Sequence, residues 1–126
     1  MEEKDTIASV YINRLRSGMP LGADPTIKFA LKDFSITWVR GEMLDVISPY
    51  NTYRNKGLPP GPICTPSKKT IDEVLKAPPT SYLYFVASSA FNGTHLFSNT
   101  YAEHLLKAKA YQVEDKRRRE AKERKV

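Results

Sequence analysis

Between positions 57 and 63 the chain reads Gly57-Leu58-Pro59-Pro60-Gly61-Pro62-Ile63, with two glycines and three prolines in seven residues. Proline fixes φ, and glycine supplies backbone conformations that other residues resist. A loop written this way has one shape. It follows Tyr50-Asn51-Thr52-Tyr53, a polar and aromatic run. Loops specified so heavily more often present groups than merely connect elements. A rigid corner between two elements would use the same residues, because Pro and Gly are ordinary in turns.

The 126 residues, 40% of them hydrophobic, suit one globular domain of ordinary size. The single cysteine, Cys64, can form no internal disulfide and has no partner for a zinc site. The two histidines, His95 and His104, lie nine positions apart. That argues against metal catalysis, although carboxylate-only sites stay open. No run of about 18 apolar residues occurs, so nothing in the sequence spans a bilayer as a helix. The charged start Glu2-Glu3-Lys4-Asp5 is not a signal peptide. Net charge is +6, which invites a nucleic-acid reading. The distribution opposes it. Residues 113–126 hold seven Lys/Arg and four Asp/Glu, so half the excess sits in a mixed-charge tail. A solvated helix is the default for such a run, and no basic stripe interleaved with aromatics appears elsewhere.

Thr6 to Ser17 has helical spacing, with Ile7, Ala8, Tyr11 and Leu15 on one face. Asp5 or Thr6 can cap it, and Gly18 with Pro20 stops it. Asp24-Pro25-Thr26 predicts a second helix, with Asp24 as N-cap and Pro25 first inside. Phe34 to Val39, through Trp38, has strand composition without clean alternation, and Glu42 to Ile47 suits a helical turn or two. Thr70-x-x-Glu73 reads as a capping box for a helix that ends before Pro78-Pro79. Tyr82 to Ala87 is a strand of six apolar or aromatic residues, expected to be buried on both faces. Thr94 to Ser98 pairs with it as a hairpin. Thr100-x-x-Glu103 opens a last helix that runs into the tail. The sum is one α+β domain, with several helices on a small antiparallel sheet and a long C-terminal helix.

No group in the chain announces catalysis. His95 and His104 sit beside no nucleophile elbow and no activated Cys. His95 can line a cleft or serve as a satisfied structural residue. Gly57-x-x-x-Gly61 lacks the Lys and Ser/Thr of a phosphate loop. Among the carboxylates, Asp24 is explained by capping. Glu42, Asp45, Asp72, Glu73 and Glu103 suit helix surfaces, and Glu2 and Glu3 a frayed end. The residues call for no cofactor and no metal.

In order and spacing, from about residue 5 to residue 111, the chain resembles the C-terminal part of the catalytic domain of the YceG-like (MltG) endolytic murein transglycosylases. The resemblance rests on Ala8-Ser9-Val10-Tyr11-Ile12-Asn13-Arg14-Leu15, Gly18-Met19-Pro20-Leu21 and Asp24-Pro25-Thr26. It continues through Tyr50-Asn51-Thr52-Tyr53, the Gly57–Ile63 loop, Tyr82 to Ala87, His95 with Phe97, and Ala102-Glu103-His104. It implies a lyase that cuts bacterial peptidoglycan within the glycan chain, between N-acetylmuramic acid and N-acetylglucosamine. The product carries a 1,6-anhydro end, because the sugar's own 6-hydroxyl displaces the leaving group. One carboxyl group of raised pKa then suffices, in place of the two of ordinary glycosidases. The resemblance also implies a lytic-transglycosylase-like fold and a membrane anchor that places the enzyme on the outer face of the cytoplasmic membrane. Cell-wall elongation proteins are its implied partners.

The family's catalytic Glu lies in a segment before the helix that begins here. It has no counterpart in Glu2 or Glu3, so it is expected upstream of Met1. On this reading residues 1–112 are part of a catalytic domain and 113–126 a charged helical tail. The fragment by itself is expected to be inactive. The substrate-binding residues implied are Asp24, Thr26, Tyr50, Asn51, Tyr53, Pro59 and His95. Asn51 would hydrogen-bond an acetamido or hydroxyl group, and Tyr50 or Tyr53 would pack on a sugar face. Asp24 and Thr26 would hold the loop beside the sugar that is cut. The alternative is a non-catalytic glycan-binding or protein-docking module.

Overall fold

Glycine 18, at φ 70°, ends the first helix, and its neighbour Met19 donates back to the Arg14 carbonyl at 2.9 Å. The computed structural model describes residues 3–36 and 39–124. Its elements are α1 (Glu3–Ser17), α2 (Asp24–Leu31), a 3-10 turn (Gly41–Asp45), α3 (Lys68–Leu75), β1 (Tyr84–Ala87), β2 (His95–Ser98) and α4 (Tyr101–Arg124). The architecture is α+β, with a long C-terminal helix as expected. The chain divides into two compact units. One holds the residues up to Val10 together with those from Lys76 onward. The other holds Tyr11–Leu75.

In the first unit, β1 and β2 form an antiparallel hairpin in the register Tyr84↔Ser98 to Ala87↔His95. Side chains alternate across the pleat. Tyr84 stacks on His104 of α4 at 5.2 Å between centroids and tilts against Tyr101 at 5.7 Å. Phe85 on the opposite face meets its cross-strand partner Phe97 and the edge of His95. The first turns of α1 serve this unit as well. Ser9 Oγ lies 2.7 Å from Thr80 Oγ1, and the Glu3 carboxylate is hydrogen-bonded to His95 Nδ1. The sheet was expected to be buried on both faces, but β1 is only half-buried throughout. Thr100 caps α4 by accepting the Glu103 N–H at 3.3 Å. The helix then runs through the charged run on pairs such as Glu114–Arg117 and Asp115–Arg119.

In the second unit, Leu21, Ile27 and Val39 are buried. Three expected helix starts shift. Helix α1 begins at Glu3, so Asp5 and Thr6 lie inside it and cap nothing. Thr6 is buried, and its carbonyl accepts the Ser9 hydroxyl at 2.6 Å. The N-cap of α2 is Ala23, with Asp24 the first helical residue and no side-chain cap. Thr26 Oγ1 instead reaches back to the Ala23 carbonyl at 2.6 Å. Helix α3 starts at Lys68 because Ser67 Oγ takes the Thr70 N–H at 3.1 Å, so Ser67 does the work expected of Thr70. The strand expected over Phe34–Val39 is absent from its described residues. Asp33 Oδ1 accepts the Ser35 N–H at 3.0 Å and turns the chain there. Trp38 and Glu2 lie outside the described residues.

Candidate functional site

The Tyr50–Tyr53 run is a turn whose side chains are used to build it. Asn51 is 0% exposed. Its Nδ2 donates to the Leu44 carbonyl at 2.9 Å and the Val46 carbonyl at 2.8 Å, and its Oδ1 accepts the Tyr53 N–H at 2.9 Å. Asn51, expected to meet a sugar, here builds the turn instead of facing outward. Both amide protons are engaged, and the group has no surface. Thr52 is buried too. Its hydroxyl accepts the Ala23 N–H at 2.8 Å and shares a 2.8 Å bond with Thr26 Oγ1, while its carbonyl accepts the Gly22 N–H at 3.1 Å. Thr26 and Thr52 thus rivet the turn to the start of α2, which leaves buried Thr26 in a supporting position.

What the rivet presents outward is Tyr53 and Asp24. The Tyr53 hydroxyl donates to the Asp24 carboxylate, on an exposed surface. Burial first, then the bond to Asp24 and its charge, push the Tyr53 phenol well above its ordinary value of 10.0. Tyr11, from α1, is likewise raised by burial and by the Asp24 charge, with Arg14 opposing. Arg14 Nη1 donates to the Leu21 carbonyl at 3.1 Å and the Pro20 carbonyl at 3.3 Å. Gly22, at φ 59°, lies between the two side chains: a Cβ there would stand 3.3 Å from both Arg14 Nη1 and Tyr53 Cε1. Tyr53, Asp24, Tyr11 and Arg14 are therefore one cluster, and only its Asp24 and Tyr53 were legible as site residues. The missed signal is the spacing of Tyr11 and Arg14, three apart on one helical face.

Tyr50 is half-buried, its ring tilted on Phe29 at 4.7 Å between centroids. A Cβ on Gly61 would lie 3.3 Å from its hydroxyl, so the Pro loop folds back onto Tyr50. That loop walls an apolar groove of about 460 Å³, with Pro59, Pro62, Ile63 and exposed Cys64 among its lining. Pro59 lies in this groove, and Asp24, Thr26, Asn51 and Tyr53 in the bonded cluster.

His95 belongs to the first unit. Its Nδ1 faces the Glu3 carboxylate, and its half-buried ring meets Phe85 at 5.7 Å between centroids in a T-shaped arrangement. Glu3 was assigned to a frayed end. The structure puts it in the first turn of α1, on a partner 92 positions away, which no local pattern could reveal. Asp33 and Glu114 are the carboxylates with shifted pKa values among the described residues, both downward. Ser35 lowers Asp33, and Arg117 with Arg118 hold Glu114 at about 2. A general acid needs the opposite shift. Among the described residues no three of His, Cys, Asp and Glu converge to hold a metal ion, and no helix is long and apolar enough to cross a membrane.

The sequence profile of the YceG-like family matches residues 1–110. The endolytic murein transglycosylase of Bacillus subtilis is 42% identical over 102 residues, which cover 81% of this chain and 28% of that protein. The endolytic murein transglycosylase of Streptococcus pneumoniae is 34% identical over 107 residues, covering 82% and 19%. The crystal structure of a YceG-like protein of Listeria monocytogenes superposes with a TM-score of 0.75 at 40% identity, over 82% of this chain and 33% of that one. The chain thus spans under a third of the length of the curated relatives it matches.

Proposed function

The chain belongs to the YceG-like family, and on that premise we propose that it is the glycan-binding part of an endolytic peptidoglycan transglycosylase. The observation that carries the reading is the 42% identity to a protein named for that activity. The reaction is cleavage between N-acetylmuramic acid and N-acetylglucosamine. The 6-hydroxyl of the muramic sugar attacks its own C1, the glycosidic C1–O bond breaks, and a 1,6-anhydro ring closes. One carboxyl group gives its proton to the departing oxygen and takes the 6-hydroxyl proton.

That carboxyl group is contributed by a Glu outside these 126 residues. The downward shifts of Asp33 and Glu114 unfit them for the role. The contribution of this chain is to bind and orient the glycan. Tyr53 offers an exposed aromatic face, held by its bond to Asp24. The Asp24 carboxylate has acceptor capacity beyond that bond and takes a sugar hydroxyl. Pro59, in the apolar groove of the Pro loop, and Tyr50, against which that loop folds, offer apolar surface for a sugar face. Asn51 and Thr26 act from behind by fixing the turn. The working place is the outer face of the cytoplasmic membrane, among the proteins of wall elongation.

The test is co-sedimentation of this chain with purified peptidoglycan sacculi, followed by mass spectrometry of the soluble products. Saturable sedimentation without anhydro-muropeptide release is expected. Failure to sediment would overturn the glycan-binding role. Release of anhydro-muropeptides would mean that one of the chain's own carboxyl groups is the acid.

A further inference from the structure

Exposed apolar side chains scattered singly are normal on a folded chain. The Pro loop of the second unit differs, because its apolar side chains wall one groove of about 460 Å³. Leu58, Pro59, Pro62, Ile63, Cys64 and Pro66 line it, and Leu58 is 73% exposed. A sugar can lay one face against Pro59, but the lining offers no hydroxyl, amide or charged side chain to the rest of a carbohydrate. Nor does it suit a folded protein, since such interfaces carry about one hydrogen bond per 100–200 Å². Pro59, Pro60, Pro62 and Pro66 have no N–H to give. The same lack lowers the cost of leaving water for hydrocarbon, where every unpaired backbone donor is expensive.

Charge frames this groove. Between Asp45 and Asp72 the sequence holds no Asp or Glu, whereas Arg54, Lys56, Lys68 and Lys69 are cationic. Lys56 lies two positions before Leu58, and Lys68 two after Pro66, so exposed lysines stand at both margins of the apolar lining. Apolar side chains edged by cations, with no local anion to cancel them, fit an anionic bilayer. The apolar groups reach the acyl boundary while the lysine stems keep their charges among the headgroups.

We propose that the Leu58–Pro66 loop docks on an anionic lipid bilayer, with Leu58 and the groove walls against the acyl-chain boundary and Lys56 and Lys68 among the headgroups. The proposal goes beyond the glycan-binding reading and uses neither Tyr53 nor Asp24. It is also distinct from the charged run of α4, where Glu114 and Asp115 pair with Arg117, Arg118 and Arg119 and offset part of the positive charge.

Vesicles of phosphatidylglycerol and of phosphatidylcholine test it, by co-sedimentation and by the rate at which iodoacetamide alkylates Cys64. Cys64 is the single cysteine and is exposed in the groove, so its rate reports on this loop. Phosphatidylglycerol is expected to sediment the chain at low salt. It should slow the alkylation about tenfold once lipid exceeds the dissociation constant about tenfold. Phosphatidylcholine, which has no net charge, is expected to do neither, and about 0.5 M salt to reverse both effects. Each lysine near an anionic surface contributes about fivefold in affinity, so Lys56→Gln combined with Lys68→Gln is expected to weaken binding about twenty-fivefold. Leu58→Ser, at an exposed position that the fold does not depend on, is expected to weaken it about tenfold. Absence of sedimentation would overturn the proposal. Sedimentation without protection of Cys64, or unaltered by the paired lysine changes, would place the contact on the charged run of α4 and overturn it too. Equal protection by both lipids would remove the anionic headgroup from the account. Soluble poly-glutamate that protects Cys64 as strongly as phosphatidylglycerol would assign the surface to an acidic polypeptide instead. Sedimentation with sacculi is independent of all these outcomes, so the glycan-binding reading stands or falls separately.

Discussion

Two polar turns of this molecule, Tyr50–Tyr53 and Ser88–His95, are made of similar residues and use them in opposite directions. In the first, Asn51 and Thr52 are turned inward and bonded to backbone groups of residues 22–53. In the second, Ser88 and Thr94 bond within their own loop and keep capacity on the side of a hollow. The difference lies in what the local backbone leaves unsatisfied. The 3-10 turn at Gly41–Asp45 leaves the Leu44 and Val46 carbonyls without helical partners, and Asn51 supplies them. The hairpin loop closes on its own backbone, through Ser88 N–H to the Thr94 carbonyl at 2.9 Å. A polar residue in a loop is therefore a candidate contact only after the backbone around it has been satisfied.

The largest effect that sharpens this contrast is Asn51→Ala. It leaves two carbonyls and the Tyr53 N–H of a part-buried turn without their partner, at a cost of about 3 kcal/mol. Thr94→Val, on an exposed side chain, is expected to cost under about 1 kcal/mol. Urea denaturation of the two variants decides: similar losses would mean that the turns are not different in kind. Next comes a pair of glycines. Both Gly18 and Gly22 have positive φ, but a Cβ on Gly18 meets nothing within 4 Å, whereas on Gly22 it presses on Arg14 and Tyr53. Gly18→Ala is expected to cost about 1 kcal/mol from backbone strain alone, and Gly22→Ala about 2 kcal/mol or more. Equal melting temperatures for the two would break the claim that Arg14 and Tyr53 form one packed cluster.

Much of this was legible from residue types, and the rest fails for identifiable reasons. The hairpin, the Thr100 cap, the Gly18 stop and the long last helix follow from periodicity and turn chemistry, which are local. Two of the three shifted helix starts have a competing local group: Ser67 Oγ ahead of Thr70, and the Ala23 carbonyl, which takes the Thr26 hydroxyl, ahead of Asp24. The Phe34 strand failed because Asp33 captures the backbone of Ser35. In the candidate site, Asp24 and Tyr53 were readable as a polar start signal and an aromatic neighbour of a rigid loop. The inward turn of Asn51 was not, since it depends on two carbonyls five and seven positions back. Nor was Glu3, whose partner is 92 residues away.

The smallest effect near neutral pH, and the one that most directly probes the outward face of the second unit, is the titration of Tyr53. Burial is the main cause of its raised phenol, and the bond to Asp24 comes next. An unfolded tyrosine loses its proton near pH 10, at which point the folded Tyr53 still holds its own. Above pH 10 the unfolded state therefore binds fewer protons than the native one, and stability falls as pH rises; below pH 10 the contribution is complete. Tyr11 shifts in the same direction, so two of the seven tyrosines are expected to ionise late when absorbance at 295 nm is followed in the native chain. Asp24→Asn removes the charge but not the burial. Tyr53 should then ionise earlier than in the parent chain and still later than an unfolded tyrosine. An unchanged titration in Asp24→Asn would mean that Asp24 does not hold Tyr53. The outward pair would then reduce to a tyrosine alone.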